Sequence, residues 1–421
     1  MDEKYDVVII GGGPSGSTAA FFHNKLGLKT LLIDKAYFPR DKACGDGIPK
    51  KVLRLLQEIG ITAKELEQIG YRIDCLTLYS PAGVKLTYGE INPESEAKSF
   101  CSPRLLFDAL IFQKVKSTYP HVYDGMGLEE LHYEDSRYFL TLHDRRNEKR
   151  HHVSAPLIIG ADGANSRVRK LLNLNVVDEN YKFYGFRDYV EGKQFDPMVH
   201  IFYDELTLPG YFWIFPVSPT RANIGLMIEM EKSKKYHTNI RDMFYQLLTG
   251  SPQIKQVLGE VEPTGDTRGC PLPLGHGNIM NITDGAMLIG DAASFINPIT
   301  GGGIYYGMLS GKQSAEISLK ALETGRFDKA ALREFYQFYK QKFLPGYNVA
   351  NRMREYFRVS HNVDHLFRKC KRNKVYSNIF IGLYGRPVSR RFYLNPYFWW
   401  SVMPKISFPK KRANRISDVT T

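Results

Sequence analysis

The stretch Tyr5-Asp6-Val7-Val8-Ile9-Ile10-Gly11-Gly12-Gly13-Pro14-Ser15-Gly16, with a helical pattern to about Leu26 and then Thr30-Leu31-Leu32-Ile33-Asp34, decides the fold. A mostly apolar run that meets glycines reads as a buried strand ending in a tight turn. Gly27 supplies the left-handed position that commonly closes a helix before a second strand begins. Strand, glycine turn, helix and strand make one βαβ unit. The turn has GxGxxG spacing, with Gly11 at the tight bend, Gly13 under a pyrophosphate and Gly16 where helix meets strand. The helix N-terminus points unpaired N–H groups and a positive dipole end at phosphate. Asp34, 23 residues after Gly11, stands where a carboxylate accepts from an adenosine ribose, and an acid there argues against a 2'-phosphate. Without this context the turn would be an ordinary strand-to-helix connection. With strand, helix, Ala20 on the packed face and the terminal acid all present, it predicts a dinucleotide site.

Two later segments return to the same architecture. Leu157-Ile158-Ile159-Gly160-Ala161-Asp162-Gly163 and Gly285 to Asp291 are apolar strands ending in aspartate, where such a sheet places ligand. A nicotinamide domain would be complete early, whereas FAD is long enough to need contacts this far apart. Asn297 to Gly303 opens a helix predicted from Ile304 to about Leu322. Backbone N–H groups around Gly301, Gly302, Gly303 and Ile304 suit the negative charge of a reduced flavin. The plainer alternative is a helix cap with a flexible entry.

Residues 71–100 and 181–230 alternate in short segments rich in Tyr, Phe, Val and Thr, which predicts antiparallel strands, and a helix is expected from Pro103 to about Ser117. The expected fold class is α/β: a Rossmann-type FAD-binding domain interleaved with an antiparallel β-sheet substrate domain, plus a helical, basic and aromatic C-terminal region. The boundaries are 1–75, 101–175 and 276–330 for the first, 76–100 and 176–275 for the second, and 331–421 for the third.

A chain of 421 residues with 43% hydrophobic content buries a large core, so disorder is not the expectation. The five cysteines are scattered without a CxxC pair, which argues against a disulfide scaffold and a metal site. The histidines, among them His151, His152 and His361, show no ligand spacing and read as surface residues. No apolar run approaches the roughly 18 to 20 residues that span a bilayer. No charged and apolar leader opens the chain, so a cytoplasmic protein is expected. The net charge of +13 is carried from Asn351 onward, where 16 Lys/Arg face 3 Asp/Glu, interleaved with Tyr393, Tyr397, Phe398, Trp399 and Trp400. That pattern suits peripheral contact with an anionic membrane, on its inner face, more than nucleic acid, for which no partner is expected. The alternative is a solvated basic tail.

Several blocks resemble the geranylgeranyl reductase family, within the flavoproteins that include aromatic hydroxylases and flavin-dependent halogenases. They are Gly11 to Gly16 with Asp34-Lys35; Phe38 to Gly47, containing Cys44-Gly45-Asp46-Gly47; Arg104 to Asp108; and Gly290-Asp291 through Gly303-Ile304-Tyr305-Tyr306. Pro209 to Pro216 resembles the family's YxWxFP signature. The resemblance covers about the first 325 residues, with Ala43 and Gly302 departing from the family's usual proline and glutamate. It implies FAD contacts at Ser15, Asp34, Cys44, Gly45, Gly47, Arg104, Asp291, Gly303 and Ile304, with Arg104 near the phosphates and a backbone contact around Leu128. Lys35, Asp162, Gly301 and Gly302 complete the expected cofactor set.

In a strand, Tyr211, Trp213 and Phe215 share one face, while Phe212 and Ile214 take the other. Core packing is the plain reading of such a stripe. The resemblance makes it the wall of a tunnel for an isoprenoid lipid, reduced at its carbon–carbon double bonds by hydride from reduced flavin. An electron-rich alkene needs a proton as well, for which Cys44 and Asp46 are the candidates. Cys44 equally reads as a small residue packed on the flavin. With a single GxGxxG after a strand, electrons are expected from NAD(P)H docking briefly or from a ferredoxin-like protein. Rival readings are a flavin-dependent monooxygenase or halogenase and a non-enzymatic flavin- and lipid-binding protein. An electron-transfer dehydrogenase with a C-terminal iron–sulfur cluster is excluded, because Cys370 is the only cysteine there.

Overall fold

Four strands buried at every residue, Ala286–Leu288, Leu157–Gly160, Val7–Ile10 and Thr30–Asp34, lie side by side and parallel. Continuous apolar runs are what a parallel sheet covered on both faces requires. The computed structural model describes residues 3–89, 99–174, 177–235 and 239–384. Val122–Asp124 extends the sheet in parallel on one side, and Ile282–Thr283 closes it antiparallel on the other. The glycine turn and Ala161 follow C-terminal strand ends, and Asp34 is itself such an end, the side on which such sheets hold ligands.

A seven-stranded sheet stands beside it, in the order Arg268–Pro273, Lys182–Glu191, Arg221–Glu229, Tyr211–Ser218, Met198–Phe202, Cys75–Tyr79 and Lys85–Gly89. It is antiparallel except where Met198–Phe202 meets Cys75–Tyr79. One face packs Phe212, Ile214 and Leu226 against Phe244 and Leu247 of the helix Ile240–Gly250. The other carries Tyr211, Trp213 and Met227 toward Phe357, Phe367 and Phe380 of the C-terminal helical region. Period-two patterning thus divides the strand Tyr211–Ser218 between two separate cores. The small sheet of Gly47–Ile48, Ser99–Cys101 and Tyr71–Ile73 carries the segment that follows Cys44.

Helices Arg333–Lys342, Leu344–Tyr356, Ser360–Arg372 and Lys374–Gly382 complete the described chain. The aromatic and basic stretch from Tyr393 to Trp400 lies outside the described residues. Among the described residues, no helix is long and apolar enough to cross a membrane. One expectation needs correcting: among the described residues, two histidines are buried rather than at the surface. His23 Nδ1 bonds Ala19 O at 2.7 Å and its Nε2 bonds Ser318 Oγ at 2.9 Å, so both ring nitrogens find partners inside. Burial draws its pKa down to about 4, which keeps the ring neutral. His276 is buried and stacks on Tyr181.

The helix Pro14–Lys25 packs along the helix Ile304–Thr324 with no room for side chains at the crossing. A Cβ on Gly311 would stand 2.5 Å from Ser15 O and 3.1 Å from Ala19 N. Both neighbours are backbone, so relief requires a helix to shift. Gly311→Ala is therefore expected to destabilise the protein by about 2 kcal/mol. It should also loosen FAD, because the displaced helix begins at the glycine turn; thermal unfolding and cofactor release measured side by side check both effects.

Candidate functional site

At the glycine turn, Gly16 closes on the first strand so tightly that a Cβ would lie 1.8 Å from Gly11 O. Gly11 takes φ 109°, and a Cβ there would meet Ala161 O at 2.5 Å. Ser15 directs its hydroxyl at Gly290 and Gly307. Asp34 is buried, with Oδ2 accepting from Gly12 N at 2.7 Å and Oδ1 from Ala36 N at 2.8 Å. Lys35 beside it is exposed, and Gly127, next to buried Leu128, faces the Lys35 side chain. The cation next to Gly13 is Arg40, whose Nη2 would sit 3.3 Å from a Cβ there. Arg104 is buried further in and grips Asp108 with two bonds, of 2.6 and 2.7 Å. Arg40 Nη1 reaches the same carboxylate at 2.8 Å. Burial alone would raise the Asp108 pKa, but the Arg104 charge beside it holds the carboxyl below its ordinary value. Asp162 uses its carboxylate locally, accepting from Ser166 Oγ at 2.5 Å and from the backbone N–H of Arg167 and Val168. It thereby fixes the start of the helix Arg167–Leu171.

The remaining predicted residues, Asp46 excepted, gather around one cavity of about 500 Å³. Cys44, Gly45 and Gly47 form one wall, Tyr211, Trp213 and Phe215 a second, and Asp291 with Gly301, Gly302, Gly303 and Ile304 a third. A Cβ on Gly45 would lie 3.3 Å from Trp213 Nε1, and one on Gly47 would lie 3.3 Å from the Phe215 ring. Tyr211 Oη donates to Thr300 O at 2.6 Å, tying the aromatic wall to the glycine loop. That loop is shaped by Asn297, whose Oδ1 accepts from the N–H groups of Ile299 and Thr300. Helix geometry leaves the first-turn N–H groups of Ile304 onward without intrahelical acceptors, the first closed turn being Gly307 N on Gly303 O. Burial alone would raise the Asp291 pKa, but Lys42 Nζ at 2.8 Å outweighs it and keeps the carboxylate charged.

Asp46 does not line the cavity. It is buried behind the Cys44 wall with φ 64°, a left-handed conformation that aspartate tolerates better than most residues. Its Oδ2 accepts from Tyr189 Oη and Asn223 Nδ2, both at 2.7 Å, and its Oδ1 from Arg104 N at 3.3 Å. Asn223 Nδ2 also donates to Cys44 O at 2.8 Å, and its Oδ1 accepts from Trp213 Nε1 at 2.8 Å. One asparagine therefore orients both the thiol segment and the central ring of the aromatic wall. Sequence reading missed it, although a fully buried amide within the apolar run of Arg221–Glu229 was a visible signal. Burial raises the Cys44 pKa, with the Arg104 charge working against it. Burial also pushes the Asp46 carboxyl up to about 6, opposed first by the Tyr189 and Asn223 donors.

A family described as FAD binding domain matches residues 4–263. Among curated proteins, the digeranylgeranylglycerophospholipid reductase of Methanocaldococcus jannaschii is 29% identical over 350 residues, spanning 81% of this chain and 84% of its own. The menaquinone reductase of Mycobacterium tuberculosis is 28% identical over 379 residues, spanning 84% of each. Among solved structures, a geranylgeranyl bacteriochlorophyll reductase-like protein of Thermoplasma acidophilum has a TM-score of 0.79 at 22% identity, covering 87% of this chain and 91% of its own. A flavin-dependent brominase has a TM-score of 0.73 at 21% identity, covering 89% of this chain and 92% of its own. Both share the fold.

The raised pKa of Asp46 fixes the sign of a pH effect. Its charged form is the penalised one, so its stabilising contribution is complete below the ordinary carboxyl range and is lost as pH rises through about 6. Wild type should accordingly gain stability relative to Asp46→Asn as pH falls from about 7 to about 4. A series of thermal unfolding curves tests this, and a constant gap between the two proteins would contradict it.

Proposed function

The chain belongs to the FAD-binding-domain family of flavin-dependent oxidoreductases, and from that premise we propose that it saturates carbon–carbon double bonds of an isoprenoid chain or lipid. The observation that carries the proposal is the cavity. Its body is apolar, with Leu76, Val199, Ile201 and Ile381 lining it together with the aromatic wall. An extended hydrocarbon would gain from such burial about 25 cal/mol per Å² of surface removed from water.

The residues present suit FAD. At the glycine turn a side chain would collide with neighbouring backbone, the helix Ile304–Thr324 begins with first-turn N–H groups that have no intrahelical acceptor, and Gly45 and Gly47 lie close against the Trp213 and Phe215 rings. In this reading Gly11, Gly13, Ser15 and Gly16 hold the pyrophosphate with Arg40 beside them, and Asp34 takes the ribose. The flavin end belongs to Gly45, Gly47, Asp291 and the loop Gly301 to Ile304. When bound, FAD supplies the hydride. The chain's own residues do the rest: the first-turn N–H groups present positive potential to the flavin end, and the Trp213 face, fixed by Asn223, favours positive charge developing on a protonated alkene. Cys44 is a proton-bearing group on the cavity wall beside the aromatic face, and burial keeps its thiol protonated near neutral pH. Electrons reach the site from briefly docked NAD(P)H or a ferredoxin-like protein, and substrate from an anionic membrane surface.

Anaerobic single-turnover reoxidation of the reduced protein by a polyprenyl lipid tests this. Trp213→Ala should slow reoxidation about tenfold, the loss of one cation–π contact. Cys44→Ala should slow it while Asp46→Asn changes it less; unchanged rates in both would remove the two as participants. Rapid oxygen-dependent hydroxylation or halogenation, with no lipid-dependent reoxidation, would overturn the proposal.

A further inference from the structure

Cations at the cavity are mostly paired. Lys42 donates to Asp291, and Arg187 bonds Asp41 and Asp266. Behind the wall, Arg104 holds Asp108. Lys51 breaks the pattern. It lines the cavity beside Lys50, and among the described residues its ammonium makes no ion pair and no hydrogen bond. What it has instead are two aromatic faces, with ring centroids 4.3 Å away at Tyr305 and 4.8 Å away at Tyr306. These fix its position over the start of the helix Ile304–Thr324 without neutralising it.

Its place in the chain is also unfavourable for a cation. Lys51 is the first residue of the helix Lys51–Ile59, at the positive end of the dipole, and no acidic residue occupies the first turn to offset it. Burial draws its pKa down to about 8, the mark of a charge held from water without a counter-ion. A lysine set against both the helix dipole and desolvation is stabilised by an anion arriving from outside the chain.

We propose, resting on the isoprenoid reading above, that Lys51 anchors a phosphate group carried on the prenyl substrate, so that the cavity selects a phosphate-headed isoprenoid over one with a neutral head. The apolar body accepts the chain, and the ammonium on Tyr305 and Tyr306 fixes where the head stops. This sets which double bonds come to lie against the Cys44 and Trp213 walls.

The test uses the full FAD-loaded chain and three probes: geranylgeranyl diphosphate, geranylgeraniol with the same chain and a neutral head, and inorganic pyrophosphate. Affinities are read from the change each ligand causes in the flavin absorbance. Wild type should bind the diphosphate about tenfold more tightly than the alcohol. Lys51→Met should erase that preference while leaving the affinity for the alcohol in place, which also shows the fold intact, and Lys51→Arg should retain most of it. A wild type without the preference, or a Lys51→Met protein that keeps it or loses both ligands equally, would overturn the assignment to Lys51. So would inorganic pyrophosphate binding as tightly as the prenyl ester, since the lysine would then be reading a free anion only. If wild type bound neither prenyl ligand, the isoprenoid reading would fall with it.

Discussion

The molecule depends on a contact that only glycine backbone permits. The Ser15 hydroxyl lies where a Cβ on Gly290 would approach it to 2.4 Å and one on Gly307 to 2.2 Å. Gly16 meets Gly11, and Gly311 meets the Ser15 carbonyl, under the same restriction. A turn read near the start of the chain and a loop read near residue 300 thereby share one point. At Gly16 and Gly311 the colliding atoms are backbone and cannot move aside as a flexible side chain would, and at Gly290 and Gly307 the short Ser15 side chain lies on that same backbone. The glycine turn and the loop before the helix Ile304–Thr324 are therefore set at a fixed separation, which the proposed two-ended anchoring of a long cofactor requires.

A second constraint joins the nucleotide half to the seven-stranded sheet. Asp46 arrives on the segment after Cys44, whereas Tyr189, Asn223 and Trp213 come from three neighbouring strands of that sheet. A buried carboxyl with these donors is worth little as net stability, since desolvation consumes much of what the hydrogen bonds return. Its value lies in register. Apolar contacts alone would let the thiol segment slide against the aromatic wall, whereas an asparagine bonded at both ends admits one arrangement.

Local chemistry made the first part of this legible in the sequence. The βαβ unit announced itself through an apolar run, correctly spaced glycines and a terminal acid, all within about thirty residues. The division of Tyr211, Trp213 and Phe215 from Phe212 and Ile214 followed from the two-residue period of a strand. Illegible were the groups whose meaning arises across long separations. Asn223 is polar in an apolar strand, which signals a partner but not that the partner is Asp46. Asp162 reads as a ligand contact from its place at a strand end, and the sequence does not show that its oxygens also accept from the start of the next helix. His23 looked like a surface residue because a single histidine reveals nothing of Ser318 across a helix pair.

The same geometry separates the two proton-donor candidates that the sequence could not rank. Asp46 has the better-placed pKa, about 6, for handing over a proton near neutrality. Yet both its oxygens accept hydrogen bonds behind the wall, and it does not reach the cavity. Cys44 has a pKa raised by burial, which makes it a slower acid, but its side chain belongs to the cavity wall and it faces the Arg104 charge. General acid catalysis requires reach before it requires the right pKa, because a proton must be within hydrogen-bonding distance of the atom that takes it. In the proposed reaction, Cys44 is accordingly the group that delivers, and Asp46 acts through Asn223 to hold the Cys44 carbonyl and the Trp213 ring in place. The raised thiol pKa then has a use, because a thiol that ionised readily would set a negative charge beside the flavin and oppose its reduction.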